Sequence, residues 1–186
     1  MKIKSSLFFQ DKRPSSRAWG SRSILIYDSF LEKTSSRDWI QSFKIRYKVK
    51  SGEALKDVGS FPEHIKKIAK LAARTESRQL TFVVLGGGSV GDFGAFAASV
   101  FKRGVKLVMI PTTWLAAIDS AHGGKTALNV SNVKNQIGTF YPASEIYLIK
   151  SILLSQPPLR VQEAMGEVVK IGLIAGGHLW KQVAQM

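Results

Sequence analysis

The sequence predicts an α/β protein with a mostly parallel sheet, followed by the start of an all-helical domain. Three observations support this fold class. Short apolar runs that are typical of buried strands alternate with helical patterns over residues 1–150. A glycine-rich segment, residues 86–91, stands where one predicted strand gives way to a helix. After Lys150 the periodicity is helical and no strand pattern follows.

The first half of the chain supplies strands and one amphipathic helix. Residues 3–9 have a strand-like composition, and residues 23–28 are typical of a buried strand. Residues 43–49 alternate apolar and basic side chains, which predicts a half-exposed strand. Residues 62–74 have a proline near the start and apolar side chains at helical spacing, which predicts a helix.

The second half continues the alternation and then changes. Residues 81–85 are strongly β-prone, residues 90–101 are small and apolar like a buried helix, and residues 105–110 and 146–149 are further strands. Pro157-Pro158 interrupts the chain before a helical pattern at residues 159–174. We therefore predict an α/β domain over residues 1–150 and the beginning of a helical domain over residues 151–186.

Composition excludes several classes of protein. The hydrophobic fraction of 45% and charged fraction of 22% exclude a disordered chain, a collagen and a coiled coil. No apolar run approaches the length of a membrane span, so no membrane partner is expected. The absence of cysteine excludes disulfides and thiolate metal sites. No secretory apolar segment is present and residues 3–9 do not resemble an amphipathic transit peptide, so we expect a cytoplasmic protein.

The chain is strongly basic, with 27 Lys and Arg against 13 Asp and Glu. Residues 1–78 contain 18 of these basic and 8 of these acidic side chains, so the excess is concentrated there. This favours an anionic partner such as a phosphorylated metabolite or a nucleotide, although a solvated basic surface has the same composition. Interleaved aromatic residues and recognised nucleic-acid modules are missing from the sequence, so we expect no nucleic-acid partner.

Gly86, Gly88 and Gly91 form a G-x-G-x-x-G pattern between a predicted strand and a predicted helix. Backbone N–H groups at such a turn bind a diphosphate, which predicts a dinucleotide site in a Rossmann-like domain. A tight strand-to-helix turn is the alternative. The next strand ends in Pro111-Thr112-Thr113 without an acidic residue, so ribose recognition is expected from Asp28 or Glu53.

The turn at residues 123–126, Gly-Gly-Lys-Thr, has the wrong spacing for a P-loop because Asp119 occupies the position of the first glycine. Lys125 is a candidate phosphate ligand or a surface lysine. Asp119 lies in an apolar stretch, so we expect a buried carboxylate that pairs with Lys125 or a substrate hydroxyl, or else caps the following turn.

Glu167 and Lys170 share one face of the last predicted helix. Their apolar neighbours predict a helix buried on several sides, in which Glu167 is a candidate metal ligand; a surface ion pair is the alternative. The three histidines do not complete a zinc site, and His64 is expected at the surface.

In this order, the motifs resemble the 3-dehydroquinate synthase family from about Ser51 to Ile174. They are Gly52-Glu53-Ala54-Leu55-Lys56, Gly86 to Asp92, Lys102-Arg103-Gly104, Pro111-Thr112-Thr113, Asp119-Ser120, Gly123-Gly124-Lys125-Thr126, Asn129, Lys134-Asn135, Ile137-Gly138 and Glu167-Val168-Val169-Lys170. The resemblance implies tightly bound NAD, a divalent metal (zinc or cobalt) and a phosphorylated sugar-acid substrate. The implied reaction is a carbon–oxygen lyase step that converts 3-deoxy-D-arabino-heptulosonate 7-phosphate to 3-dehydroquinate and phosphate in the shikimate pathway.

The resemblance also implies roles for individual residues. NAD contacts are implied for Asp28, Glu53, Lys56, Gly87, Gly88, Ser89, Val90, Gly91, Asp92, Thr112, Thr113, Lys125 and Lys134. Catalytic or substrate contacts are implied for Asp119, Lys125, Asn135, Lys170 and Arg103. Arg103 matches an arginine that reaches a neighbouring subunit, which implies a homodimer for the full-length protein. Glu167 matches a metal ligand.

The family's metal-binding histidines and several substrate-binding residues belong to a later helical domain. We therefore expect this chain to be inactive alone. A related sugar-phosphate cyclase is the nearest alternative function, but the Gly-Gly-Lys-Thr turn of residues 123–126 favours the dehydroquinate enzyme. A non-catalytic nucleotide-binding or oligomerising domain is the other alternative.

Overall fold

The computed structural model describes residues 5–20, 22–75 and 79–186, and it has the predicted α/β architecture. Residues 3 and 4 of the first predicted strand lie outside the described residues. The strands are β1 (Ser6–Gln10), β2 (Ser23–Asp28), β3 (Arg46–Val49), β4 (Thr81–Gly86), β5 (Lys106–Pro111), β6 (Lys125–Val130), β7 (Val133–Phe140) and β8 (Glu145–Ile149).

The α-helices are α1 (Arg37–Gln41), α2 (Phe61–Ala72), α3 (Gly88–Val100), α4 (Lys150–Leu153), α5 (Pro158–Ala175) and α6 (Gly177–Val183). Short 3-10 helices occur at Ser16–Trp19, Ser29–Lys33, Glu53–Lys56 and Phe101–Arg103, and a π-helix at Ala116–Ser120. Among the described residues, no helix is both long and apolar enough to cross a membrane.

Six strands form one parallel sheet in the order β1-β8-β5-β4-β2-β3. The chain leaves β2 toward β3 on one side and then returns to place β4 on the other side of β2. The strand order therefore reverses between β2 and β4. In open parallel sheets, ligands bind in the crevice beyond the carboxyl ends of the strands at such a reversal.

Both faces of the sheet are covered, which explains why its central strands read as continuous apolar runs. In β2, Ile24 and Ile26 pack in the core on the side of α2 and α3. Leu25 and Tyr27 pack in the opposite core, with Ile40 of α1. Successive side chains of a strand point to opposite faces, so this one strand contributes to both cores.

Helix α3 lies unusually close to β4 because glycines occupy the contact positions. A Cβ at Gly94 would lie 2.6 Å from a methyl carbon of Val84, and one at Gly86 would lie 2.5 Å from the Val90 Cβ. Contacts this short leave no room for a side chain at either glycine. The close packing fixes the start of α3 directly beyond the carboxyl end of β4.

The antiparallel hairpin of β6 and β7 was not anticipated from the sequence. Its two-residue turn, Ser131-Asn132, has φ of 48° and 67°. Positive φ at both central residues is the signature of a type I′ turn, which matches the twist of a hairpin. The hairpin packs over α3 and presents one edge to the crevice.

Helix α5 differs from its prediction. Only Ala164 and Gly172 of this helix are buried, whereas Leu173 and Ile174 are 59% and 79% exposed. The prediction of a helix buried on several sides was therefore wrong for the described residues. The reason is that α5 packs mainly against α6 and the π-helix, not inside a layer of the sheet.

Candidate functional site

The candidate site lies at the carboxyl edge of the parallel sheet, where the strand order reverses. Asp28 ends β2, Gly86 ends β4 and Pro111 ends β5, and these three strands are neighbours. The predicted residues Thr112 and Thr113 follow β5 directly, and the Thr112 N–H donates to the Gly86 carbonyl at 3.0 Å. The Asp28 carboxylate accepts from the Phe30 N–H at 3.1 Å and so caps a 3-10 helix.

The glycine turn leaves space and donors at the start of α3. The first backbone bond within α3 runs from the Gly91 N–H to the Gly87 carbonyl, at 2.9 Å. The N–H groups of Gly88, Ser89 and Val90 therefore precede the intrahelical donors and face the end of the helix. A Cβ at Gly88 would meet only the Ser120 Oγ, at 3.8 Å, so an anion can approach this backbone closely.

The segment Glu53–Lys56 docks against this turn. The Gly52 N–H donates to the Ser89 Oγ at 3.0 Å. The Lys56 Nζ, whose side chain is 7% exposed, contacts the Asp92 Oδ2 at 2.6 Å and donates to the Asn135 Oδ1 at 2.8 Å. Burial raises the pKa of the Asp92 carboxyl, and the Lys56 ammonium partly offsets this effect. Lys56 thus joins the start of α3 to the hairpin.

Glu53 occupies the outer side of the same segment. Its Oε2 accepts from the Asn129 Nδ2 at 2.8 Å, and its Oε1 lies 3.7 Å from the Lys134 Nζ. The hydrogen bond from Asn129 and the positive charges of Lys134 and Lys56 hold the pKa of Glu53 below its usual value. The carboxylate therefore remains an ionised acceptor next to the crevice.

A cleft of about 540 Å³ opens between α3, the π-helix, the hairpin and α5. Five of the predicted site residues line it, namely Asp92, Asp119, Lys125, Asn135 and Lys170. Lys134 instead pairs with Glu53 and does not line this cleft. These five residues are far apart in the sequence, and the fold brings them together.

Asp119 lies in the π-helix and is exposed, so the prediction of a buried carboxylate was wrong. The turn points it out of the apolar layer, while the buried neighbours are Ala116 and Ala117. Within the described part of the chain no ion pair joins Asp119 to Lys125. Both side chains are thus available to a ligand in the cleft. π-Helical turns are frequent at functional sites.

Glu167 and Lys170 form an ion pair at 2.5 Å on α5. The hydrogen bond to Glu167 raises the pKa of Lys170, and the nearby Asp119 charge acts in the same direction. Among the described residues no cluster of three or more His, Asp or Glu side chains is present that would hold a metal ion. Glu167 alone does not complete a metal site.

Arg103 does not line the cleft. It follows Lys102 in an exposed turn where both residues have left-handed φ, 48° and 63°. A larger opening of about 760 Å³ lies at the opposite, amino edge of the sheet, between Trp19, Arg22 and Lys106. It contains none of the predicted site residues, so its size does not decide where the site is.

Two features of the site were not anticipated as functional. Asn129 bonds to both Glu53 and Asn135, and Phe140 lines the cleft while 84% exposed. The one sequence signal for both is the Ser131-Asn132 pair, since Asn and Ser are turn residues that connect strands in hairpins. His64 was expected at the surface, but it is half-buried against Phe93 and hydrogen-bonded to the Tyr47 hydroxyl at 2.6 Å.

The fold and the glycine turn together define an α/β domain with a Rossmann-like parallel sheet and a polar cleft beside the crevice at its reversal point. The family model described as 3-dehydroquinate synthase N-terminal matches residues 46–163. The chain belongs to this family.

Curated relatives support this assignment. A 3-dehydroquinate synthase of Lactiplantibacillus plantarum is 38% identical over 145 residues, which are 77% of this chain and 40% of the relative. A 3-dehydroquinate synthase of Pseudoalteromonas atlantica is 34% identical over 176 residues, which are 92% of this chain and 49% of the relative. This chain therefore spans less than half the length of these relatives.

Solved structures show the same fold. A 2-deoxy-scyllo-inosose synthase complexed with carbaglucose-6-phosphate, NAD+ and Co2+ is 27% identical, with a TM-score of 0.76 over 88% of this chain and 47% of that one. A 2-epi-5-epi-valiolone synthase of Streptomyces hygroscopicus with bound NAD+ and Zn2+ is 20% identical, with a TM-score of 0.79 over 92% of this chain and 50% of that one.

Proposed function

We propose that this chain forms the nucleotide-binding part of a 3-dehydroquinate synthase, with NAD bound across the reversal point of the sheet. The observation that carries the proposal is the open Gly88 backbone at the start of α3, beside a cleft that gathers Lys125, Lys170 and Asn135. The curated relatives with this name are 34–40% identical, whereas the inosose synthase is 27% identical. This difference favours the dehydroquinate enzyme over a related cyclase.

In this proposal the glycine turn binds the diphosphate of NAD. The N–H groups of Gly88, Ser89 and Val90 donate to the phosphate oxygens, and the positive end of the α3 dipole favours their charge. Asp28 and Glu53 are the candidate ribose acceptors, because both carboxylates lie at the crevice. Lys56, Asp92, Thr112, Thr113 and Lys134 complete the proposed contacts. NAD, when bound, supplies a reversible hydride acceptor.

The adjacent cleft fits a phosphorylated sugar acid. Lys125 and Lys170 present two cations to a substrate that carries a phosphate and a carboxylate. Lys170 stays protonated because Glu167 raises its pKa, so it acts as a fixed positive charge. Asn135 and Asp119 offer an amide and a carboxylate to the substrate hydroxyls.

Two parts of the proposal concern partners outside the described residues, a metal ion and a second subunit. Glu167 would supply one ligand to a divalent metal, and the described residues alone do not fit the ion. Arg103 would reach the site of a second subunit in a homodimer. A cytoplasmic location remains a prediction, as does the division into an α/β domain over residues 1–150 and a helical part beyond it.

Titration of the chain with NAD tests the nucleotide site. We expect measurable heat with the wild-type chain and loss of binding in Gly88→Val, since the side chain fills the approach to the backbone, while its Cβ lies no closer than 3.8 Å to the nearest described neighbour, the Ser120 Oγ. Gly166→Val on α5 is the matched control, because in the described structure a Cβ there has no neighbour within 4 Å. Absence of heat with the folded wild-type chain, or equal affinity in Gly88→Val, contradicts the proposal.

A further inference from the structure

Asn129 is the residue through which the two sides of the site are joined. Its Nδ2 donates to the Glu53 Oε2 at 2.8 Å, and its Oδ1 accepts from the Asn135 backbone N–H at 3.0 Å. A carboxylate can only accept and an N–H can only donate, so the two partners fix the orientation of the amide. The residue is 8% exposed, so water competes weakly for either bond.

The backbone holds Asn129 in this place. Its carbonyl accepts from the Val58 N–H at 3.0 Å, and it forms an isolated bridge with Asp57, just after the Glu53–Lys56 segment. The register of the hairpin shifts between Leu128 and Val130, where Asn129 alone stands opposite residues 134–136 of β7. The extra residues therefore lie on β7, whose regular alternation is interrupted there. The irregularity brings the Asn135 backbone within reach of the Asn129 amide.

The partner on the hairpin has a left-handed backbone conformation. Asn135 has φ of 57°, a region that Asn adopts more readily than other residues with a side chain. Its side chain accepts from the buried Lys56 ammonium at 2.8 Å and lines the cleft beside Lys125. Within a strand, such a conformation is held in place by neighbouring contacts. The bond from the Asn135 N–H to Asn129 is one such contact.

We propose that Asn129 is a positioning residue that holds Glu53 toward the nucleotide and Asn135 toward the substrate cleft. It has no contact with either ligand in this proposal. The effect on nucleotide affinity rests on the proposed function, whereas the effect on Asn135 depends only on the structure. The two consequences are therefore measured separately.

Two substitutions separate the two bonds. Asn129→Leu keeps the branched shape of the side chain but has no polar atom, so it removes both bonds. Asn129→Asp keeps an oxygen that accepts from Asn135 but places a second carboxylate against Glu53. At low pH the new carboxyl becomes protonated, and its O–H can donate to Glu53 as the amide did. Gln136→Leu is the matched control, because Gln136 lies next to Asn135 on β7 and, among the described residues, its side chain bonds only the nearby Lys134 carbonyl.

Amide hydrogen exchange measured by NMR tests the bond to Asn135 without any ligand. We expect exchange at the Asn135 N–H to be at least about tenfold faster in Asn129→Leu, and unchanged in Asn129→Asp and Gln136→Leu. Amides of β4, such as Val83, report global stability and should not change in parallel. Unchanged exchange at Asn135 in Asn129→Leu, or an equal increase at Val83, overturns the positioning role.

NAD titration tests the link to Glu53. We expect the Kd for NAD to rise about tenfold in Asn129→Asp at pH 7.5, the loss expected for one charge-assisted bond, and to recover toward wild type near pH 5. A packing defect would not be reversed by acid. A wild-type Kd in Asn129→Asp, or a raised Kd that acid does not restore, overturns the link. If the wild-type chain binds no NAD, the proposed function fails and the exchange measurement alone decides the role of Asn129.

Discussion

At the scale of single residues, the most consequential contact is the buried ion pair of Lys56 and Asp92. The two side chains are 7% and 22% exposed, and the Lys56 ammonium also bonds Asn135. Burying a charge is unfavourable unless a partner and hydrogen bonds compensate for the lost water. Asp92 illustrates this, since burial raises its pKa even with the ammonium 2.6 Å away. The pair ties three separate segments of the chain together.

Replacing Lys56 tests how strongly the pair stabilises the fold. In Lys56→Met the Asp92 carboxylate loses its partner, and we expect the free energy of unfolding at pH 7 to fall by about 3–5 kcal/mol. Urea denaturation followed by tryptophan fluorescence measures this. Lys66→Met is the control, because Lys66 and Glu63 pair on the surface with side chains 68% and 65% exposed, and little or no change in the free energy of unfolding is expected. Equal effects in the two variants would contradict the buried-pair argument.

The sequence predicted the positions of the glycines correctly but the burial of individual polar residues less well. The glycines at 86, 88 and 91 were placed correctly at a strand-to-helix turn, since that motif depends on local backbone geometry. The environments of Asp119 and His64 were assigned wrongly, because burial depends on which distant elements cover a residue. The roles of Gly88 and Gly91 as NAD contacts and of Asp119 as a substrate contact stay predictions.

At the scale of elements, the β6–β7 hairpin decides the shape of the cleft. Thr126 and Thr139 pair across it through their hydroxyls at 2.9 Å, and Ala127 lies opposite Gly138. A Cβ at Gly138 would lie only 2.1 Å from the Thr126 carbonyl oxygen. This glycine is therefore required by the close approach of two backbones.

Gly138→Ala tests this requirement. The methyl group must displace backbone, so we expect a loss of about 1–3 kcal/mol in the free energy of unfolding and faster amide exchange at Thr139. Gly166→Ala is the control, since a Cβ at this exposed helical position meets no atom of the described residues within 4 Å. It should be neutral or stabilise the chain by up to about 1 kcal/mol. A neutral Gly138→Ala would show that the hairpin relaxes freely.

The elements themselves were largely predictable, and their bounds less so. Helix α2 was predicted at residues 62–74 and spans Phe61–Ala72, and β4 was predicted at residues 81–85 and spans Thr81–Gly86. The hairpin was missed because β7 is exposed along most of its length and lacks a clean apolar alternation. The helix predicted at residues 159–174 corresponds to α5, but the prediction that it is buried on several sides was wrong.

At the scale of the whole molecule, stability should depend on pH through His64. Burial lowers the pKa of His64 from 6.5, and the positive charge of Lys67 acts in the same direction. The unfolded chain therefore binds a proton more readily than the folded chain as pH falls through this range. The contribution of neutral His64 to the free energy of unfolding is therefore fully present above the pKa of the unfolded chain. It is lost as pH falls through the lower pKa of the folded chain.

We expect the free energy of unfolding of the wild-type chain to fall between pH 7.5 and pH 5, and His64→Gln to reduce that fall. Glutamine cannot titrate here but can still bond the Tyr47 hydroxyl. Urea midpoints at several pH values measure the difference. Parallel curves for the two chains would show that His64 is not responsible.

The sequence by itself determined the α/β class, the order of the main elements, the glycine turn between β4 and α3, and the family. These follow from local periodicity and from glycines whose backbone requirements are local. Only the tertiary structure decided that Lys125, Asn135 and Lys170 line one cleft, that Lys134 turns to Glu53, and that Asn129 connects Glu53 to Asn135. Contacts between segments many residues apart depend on sheet order, hairpin register and helix packing. Local sequence patterns carry little information about these, because the same pattern is compatible with many arrangements of the elements.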